Sequence, residues 1–171
     1  KGHEDLLYAA KSLTQKHKNI KILLVGEPSR GEEKYANKIK QMVEDYYLSS
    51  YVIFTGFRKD TENVISAMDI FAFPSHAEAF GIALVEAMSM AKPSVCSNSD
   101  GVLDISVNNN TSYLFENKNG DQLAEKLELL IKSEETRTQF GLNARNRAVK
   151  YFDIEYLTDK VINYYKDFVK E

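Results

Sequence analysis

A chain of 171 residues with 43% hydrophobic content can bury one sizeable core, so a single domain is expected over residues 1–171. Its net charge of −3 gives no electrostatic reason to expect nucleic acid as a partner, and no apolar run approaches the ~20 residues of a membrane-spanning helix. The lone cysteine, Cys96, excludes an internal disulfide and fits a reducing compartment, and because the chain opens on Lys1 and not on Met, further residues are expected before it.

Leu6, Ala10, Leu13 and His17 recur at helical spacing and predict a helix from about residue 4, with His17 near its end. Residues 20–25 form a mostly apolar run, the mark of a strand covered on both faces, and stop in the turn-rich residues 26–31. Tyr35, Ile39, Met42, Val43 and Tyr46 stripe the next helix. Residues 51–55 read as a strand broken at Gly56, after which Asp60 or Thr61 is placed to cap a short helix running to about Met68.

A short strand over 69–73, a helix over 80–90 and a strand over 93–97 follow, with Cys96 a small core residue of the last. Residues 97–101 are a loop, 102–107 a short helical turn, 108–111 a tight turn and 112–115 a final strand. Beyond Asn119 the pattern is helical. Leu123, Leu127, Leu130 and Ile131 stripe one helix; Ser133 caps a second carrying Phe140, Ala144 and Ala148; Asp153 caps a third carrying Ile154, Leu157, Val161, Tyr165 and Phe168. The alternation predicts an α/β fold with a doubly wound parallel sheet, the helices after about 119 packing back on it.

The stretch 74–93 organises the chain. A helix apolar on almost every side is normally buried, yet this one carries Glu86, and Glu78 stands just before it. A carboxylate there needs a partner or a wet cleft. The loop ahead of the helix lies at the carboxyl end of the strands, where open α/β sheets bind ligands. Ala79, Phe80, Gly81 and Ile82 are placed to present the unpaired first N–H groups of the helix to an anion, with Gly81 permitting close approach.

Glu86, one turn in, can accept both hydroxyls of a ribose. The plainer readings are a packing glycine at 81, a solvated glutamate at 86 and a turn-shaping His76. A hydrolytic Glu78–Glu86 pair is disfavoured: mostly helical chain would hold the backbones about 12 Å apart at 1.5 Å per residue, whereas retaining hydrolysis wants the carboxyls ~5–5.5 Å apart. No metal-ligand spacing of Cys, His or Asp is present.

These residues also carry a resemblance. Lys1-Gly2 with Leu6, Leu7 and Ala10, the strand-to-glycine turns at Gly26 and Gly56, and Pro74-Ser75, Glu78-Ala79-Phe80-Gly81 and Glu86-Ala87 resemble the C-terminal, nucleotide-sugar-binding domain of the family 4 (group 1) retaining glycosyltransferases. Lys92-Pro93, Gly101 and Tyr151-Phe152 agree as well. Gly26-Glu27-Pro28, Ala91 and Leu103-Asp104 depart from the pattern.

The resemblance implies a Rossmann-like domain, the C-terminal half of a GT-B enzyme whose N-terminal acceptor domain is not among these residues. It implies transfer of a hexose from a sugar nucleotide, UDP-sugar by preference, to a glycan or lipid-linked acceptor. The sugar nucleotide is a substrate, and neither a cofactor nor a metal is expected. By the same resemblance Glu78 orients the donor sugar, Lys1 neutralises the leaving diphosphate, and Ser75 and His76 belong to the loop beside the sugar. Gly26, Phe57 and Arg58 fall on the nucleotide side, Arg58 being weighed evenly against a simple pair with Asp60.

The whole enzyme is expected in the cytoplasm, with peripheral association at the inner face of the membrane, and the 171-residue chain alone is expected to be inactive. The alternative is a non-catalytic nucleotide-sugar-binding module. A response-regulator-like interaction domain is disfavoured, because residues 23–26 lack an acidic cluster at the strand end.

Overall fold

The structure is a computed structural model that describes residues 1–169. In chain order its elements are α1 (His3–Lys16), β1 (Ile22–Val25), α2 (Glu33–Asp45), β2 (Val52–Gly56), α3 (Thr61–Ser66), β3 (Phe71–Phe73) and α4 (Ile82–Ser89). They continue as β4 (Ser94–Ser97), α5 (Asp100–Ile105), β5 (Ser112–Phe115), α6 (Gly120–Lys132), α7 (Glu134–Tyr151) and α8 (Ile154–Val169). Every named strand pair is parallel, as the alternation predicts.

The period-two geometry of β4 explains the double winding. Val95 packs with Ala9 and Leu13 of α1 and Leu123 and Leu127 of α6. Its neighbour Cys96 points the other way, to Leu84 and Met88 of α4 and Ala144 of α7. Burial pushes the Cys96 thiol up to about 12, so it is a core residue and not a nucleophile. On β1 and β2, Leu24 and Val52 pack with Leu7 and Ala10 of α1 and Ile39 and Val43 of α2.

The structure departs from expectation in four places. The strands form two ladders, β1-β2 and β3-β4-β5, where one continuous sheet is expected. Asp60 precedes α3 without a side-chain cap, because its carboxylate is engaged by Arg58. Helix α4 is shorter than residues 80–90 and is buried on one side only: Leu84, Ala87 and Met88 are inside, while Ile82, Ala83 and Glu86 are exposed.

Finally, α6 and α7 pack on the sheet, but α8 leaves Ile154, Val161, Tyr165 and Phe168 exposed. Its apolar stripe finds no matching surface among the described residues. The caps at Ser133 and Asp153 do form, Ser133 Oγ accepting from Thr136 N and Asp153 Oδ1 from Glu155 N.

Candidate active site

The β3–α4 loop is fixed from several directions. Gly2 starts α1 at φ +74°, and a Cβ there would sit 1.8 Å from the Pro74 carbonyl oxygen, so only glycine lets the first turn of α1 touch the loop. This contact brings Lys1 over the loop, where its Nζ donates to Glu78 Oε2 at 3.0 Å. Ser75 Oγ donates to the Ala77 carbonyl at 3.2 Å and lies 3.4 Å from the same Glu78 oxygen.

From the β4 side, the hydroxyls of Ser97 and Ser99 both donate to the buried Ser75 carbonyl, at 2.5 and 3.0 Å. Gly101 N donates to the Glu78 carbonyl at 3.0 Å, and a Cβ on Gly101 would come within 2.4 Å of the Ala79 carbonyl. From the opposite side, His76 Nε2 lies 2.6 Å from Asp5 Oδ2, and the His76 carbonyl accepts from Asn117 Nδ2 at 2.6 Å. Glu78 is thereby held with its side chain only 16% exposed, against 67% for Lys1.

Gly81 ends the loop as the N-cap of α4 at φ +98°, and no side chain caps the helix. Its first amides therefore stay available beside exposed Ile82 and Ala83. Unpaired N–H groups with the helix dipole behind them attract an anion. One turn on, along the same open stripe, Glu86 is exposed and its carboxylate has no hydrogen-bond or ion-pair partner among the described residues.

The structure thus brings Lys1, Ser75, His76 and Glu78 together and sets Ala79, Phe80, Gly81, Ile82 and Glu86 alongside. Gly26, Phe57 and Arg58 form a separate group at the carboxyl ends of β1 and β2. Gly26 N donates to Gly56 O at 3.0 Å, with positive φ at both glycines. Phe57 is 62% exposed. Arg58 makes a two-pronged contact with Asp60, at 2.9 and 2.7 Å, that raises its own pKa and holds the Asp60 carboxyl below its usual range. The pairing reading of Arg58 is the one the geometry contains.

Asp5, Ser97, Ser99, Gly101 and Asn117 are the positions that sequence reasoning missed as site supports. The loop at 97–101 was legible, but nothing in its composition says which carbonyl its hydroxyls address. An open groove of about 530 Å³ lies on the far side of Asp5, between Tyr8, Tyr46 and Asp121. It holds none of the predicted site residues. Among the described residues no three His, Cys, Asp or Glu side chains gather as a metal-ligand set, and no helix is long and apolar enough to cross a membrane.

Comparison with known proteins identifies the family and the fold. Residues 1–147 match the family described as Glycosyl transferases group 1. The capsular polysaccharide biosynthesis glycosyltransferase CapM of Staphylococcus aureus is 29% identical over 174 aligned positions, covering 100% of this chain and 44% of CapM. The crystal structure of Anabaena Alr3699/HepE in complex with UDP superposes with a TM-score of 0.92 at 26% identity, over 98% of this chain and 45% of that one. The same protein in complex with UDP-glucose gives a TM-score of 0.90, again at 26% identity and with the same coverage.

The chain spans less than half the length of these relatives. Parallel strands wound on both faces by helices, a braced β3–α4 loop and a family match over residues 1–147 agree: this chain belongs to the group 1 glycosyltransferases and has the fold of the C-terminal half of a GT-B enzyme.

Proposed function

We propose that this chain is the donor-binding half of a retaining glycosyltransferase that moves a hexose from a UDP-sugar to a glycan or lipid-linked acceptor held by a facing half. The observation that carries the reading is the open stripe of α4. Gly81 leaves the first amides uncapped, Ile82 and Ala83 are exposed, and Glu86 stands one turn away without a side-chain partner among the described residues. A diphosphate on those amides puts a ribose within reach of Glu86 and the sugar toward Glu78.

In the reaction, the bond from the anomeric carbon to the diphosphate oxygen breaks, one from the anomeric carbon to the acceptor hydroxyl oxygen forms, and the hydroxyl proton passes to the departing diphosphate. The departing diphosphate takes the electron pair, and its added charge is met by the α4 amides and by the Lys1 ammonium. Glu78 accepts hydrogen bonds from hydroxyls of the donor sugar, and its bracing through Ser75 and Gly101 keeps the reacting carbon in one orientation. Binding is proposed to need no metal, and the whole enzyme to work in the cytoplasm at the inner face of the membrane, where a lipid-linked acceptor is accessible.

UDP and UDP-glucose in the Alr3699/HepE structures support the choice of base. A thermal-shift panel of nucleotides and sugar nucleotides on the full-length protein, followed by transfer assays with the donors that bind, tests the proposal. UDP and UDP-hexoses should raise Tm, and one UDP-hexose should support turnover that the 171-residue chain alone does not. Stabilisation by GDP and not UDP would overturn the base. Mutation-sensitive turnover by the isolated chain would overturn the two-half reading.

A further inference from the structure

The start of α1 meets alternate residues of the β3–α4 loop. The backbone of Gly2 touches Pro74, Asp5 Oδ2 lies 2.6 Å from His76 Nε2, and Lys1 Nζ lies 3.0 Å from Glu78 Oε2. Two polar side-chain pairs therefore tie the same loop to the same helix, one at Glu78 and one just before it.

The two pairs differ in stiffness. Lys1 reaches Glu78 on a flexible four-carbon stem that solvent surrounds. In the other pair both members are more confined, the His76 side chain being 36% exposed and that of Asp5 16%. An imidazole turns about two torsions only, so holding it in place costs less rotamer entropy than holding a lysine. His76 is also fixed at its backbone. Its carbonyl accepts from Asn117 Nδ2 at 2.6 Å, and Asn117 N donates to Asn98 Oδ1 at 2.9 Å. The residue is thus held from α1 on one side and from the chain after β5 on the other.

The Asp5 contact also sets the ring. A carboxylate only accepts hydrogen bonds, so the pair keeps a proton on Nε2. Nδ1 has no partner among the described residues. Ring orientation and proton position follow from a single bond to Asp5.

Under the proposed function, Lys1 leaves Glu78 to meet the departing diphosphate. The loop then loses one of its polar ties to α1 at the moment when the donor sugar has to stay in one orientation. Ser97 and Ser99 hold the loop to β4, not to α1. Resting on that reading, we propose that Asp5 is a positioning residue for the transfer. Through His76 it pins the loop to α1, so that Glu78 keeps the sugar in place while Lys1 is drawn to the diphosphate. Asp5 itself touches neither donor nor acceptor. Its effect belongs to the step in which Lys1 has moved, and so to kcat more than to donor binding.

Steady-state kinetics on the full-length protein, with the UDP-hexose that supports transfer, test this beside UDP titration. Asp5→Ala should lower kcat per folded molecule at least about 10-fold, with donor KM and UDP affinity changed less than about threefold. Asp5 lines the open groove beside α1, so its truncation admits water and leaves no sealed cavity, and the variant should fold. Asp5→Asn keeps an oxygen for the Nε2 proton and should recover most of the lost kcat.

Nitrogen NMR of isotope-labelled histidine reads the pin without any substrate. The His76 signal, assigned by its loss in His76→Gln, should show a protonated Nε2 in the wild-type protein and a mixture of tautomers in Asp5→Ala. A contact that served only the fold would lower the urea midpoint of Asp5→Ala and leave kcat per folded molecule intact. Wild-type kcat in folded Asp5→Ala, or a bare Nε2 in the wild-type protein, overturns the assignment. A protein that binds no UDP and transfers no hexose fails the proposed function, and the role in transfer falls with it, while the ring signal still reports whether Asp5 holds His76.

Discussion

Lys1 and Glu78 lie 77 positions apart in sequence and meet at 3.0 Å between Nζ and Oε2. The partners are unequal: the carboxylate is braced and largely covered, while the ammonium is two-thirds exposed on the end of a flexible stem. A pair of this kind contributes little to stability, about 0–1 kcal/mol. Lys1 can therefore swing away at small cost while Glu78 stays in place, which is what the proposed roles toward diphosphate and sugar require.

The first prediction concerns that division of labour. Glu78→Gln in the full-length enzyme keeps the shape and the contact to Ser75 but weakens the acceptor for donor-sugar hydroxyls. Turnover should fall by at least about 100-fold, with UDP affinity changed less than about threefold. Steady-state kinetics beside UDP titration separates the two effects, and normal turnover would show that the role assigned to Glu78 is wrong.

Glu86 should behave in the opposite way. A carboxylate on a ribose diol makes charge-assisted hydrogen bonds, so Glu86→Ala should weaken UDP binding at least about tenfold, one decade being ~1.4 kcal/mol. Calorimetry on the full-length protein reads this directly, and adding EDTA should leave the wild-type affinity unchanged. An unaltered affinity in Glu86→Ala would place the nucleotide elsewhere.

The Ser75 carbonyl offers a stability test. Ser97 and Ser99 are its hydroxyl donors, and the three serines are buried. The Ser97→Ala, Ser99→Ala double variant leaves that oxygen short of donors and should destabilise the protein by about 1–3 kcal/mol. Urea unfolding should show a lower midpoint with an unchanged slope. A midpoint equal to wild type would mean that the serines do not brace the loop.

Much of the fold is legible in the sequence because it depends on local pattern. The alternation of strands and helices, the Ser133 and Asp153 caps and the core positions of α1 and α6 follow from spacing and side-chain chemistry alone. What fails does so where a distant surface decides. Ile82 is as apolar as Leu84, yet it is 68% exposed, because hydrophobicity does not reveal which side of α4 the rest of the chain covers. The break between β1 and β3 is invisible for the same reason, since each strand reads as interior by composition. At the site, the E-x7-E pattern marks Glu78 and Glu86, but the bracing by Ser97, Ser99 and Asp5 rests on contacts that no spacing rule describes.

Acid should expose the charge cluster at Glu128, whose carboxylate contacts Lys16 at 2.9 Å and Lys132 at 2.7 Å. Their hydrogen bonds hold its pKa at about 2, below the ordinary 4.5. A depressed carboxyl stabilises the fold above its unfolded pKa, and that stabilisation is lost as pH falls through the folded value. Wild type should therefore lose stability between pH 4.5 and 2 more steeply than Glu128→Gln, by a margin that shrinks in high salt. Parallel curves for the two proteins would remove Glu128 from the acid transition.

The contacts at the two ends of α4 have a mechanical consequence. At its start, Gly101 admits the Ala79 carbonyl into space a Cβ would occupy, and just past its end Gly141 of α7 does the same for the carbonyl of Ala91, 2.2 Å from where a Cβ would stand. Backbone seated on backbone at both ends leaves no soft side chain to take up a tilt, so α4 is an anvil and not a jaw. In the proposed two-half enzyme, closure on a bound donor is then a motion of the facing half and not of α4. Exchange of the α4 amides beyond its first turn should therefore be the same with and without UDP, while the chain linking the two halves changes.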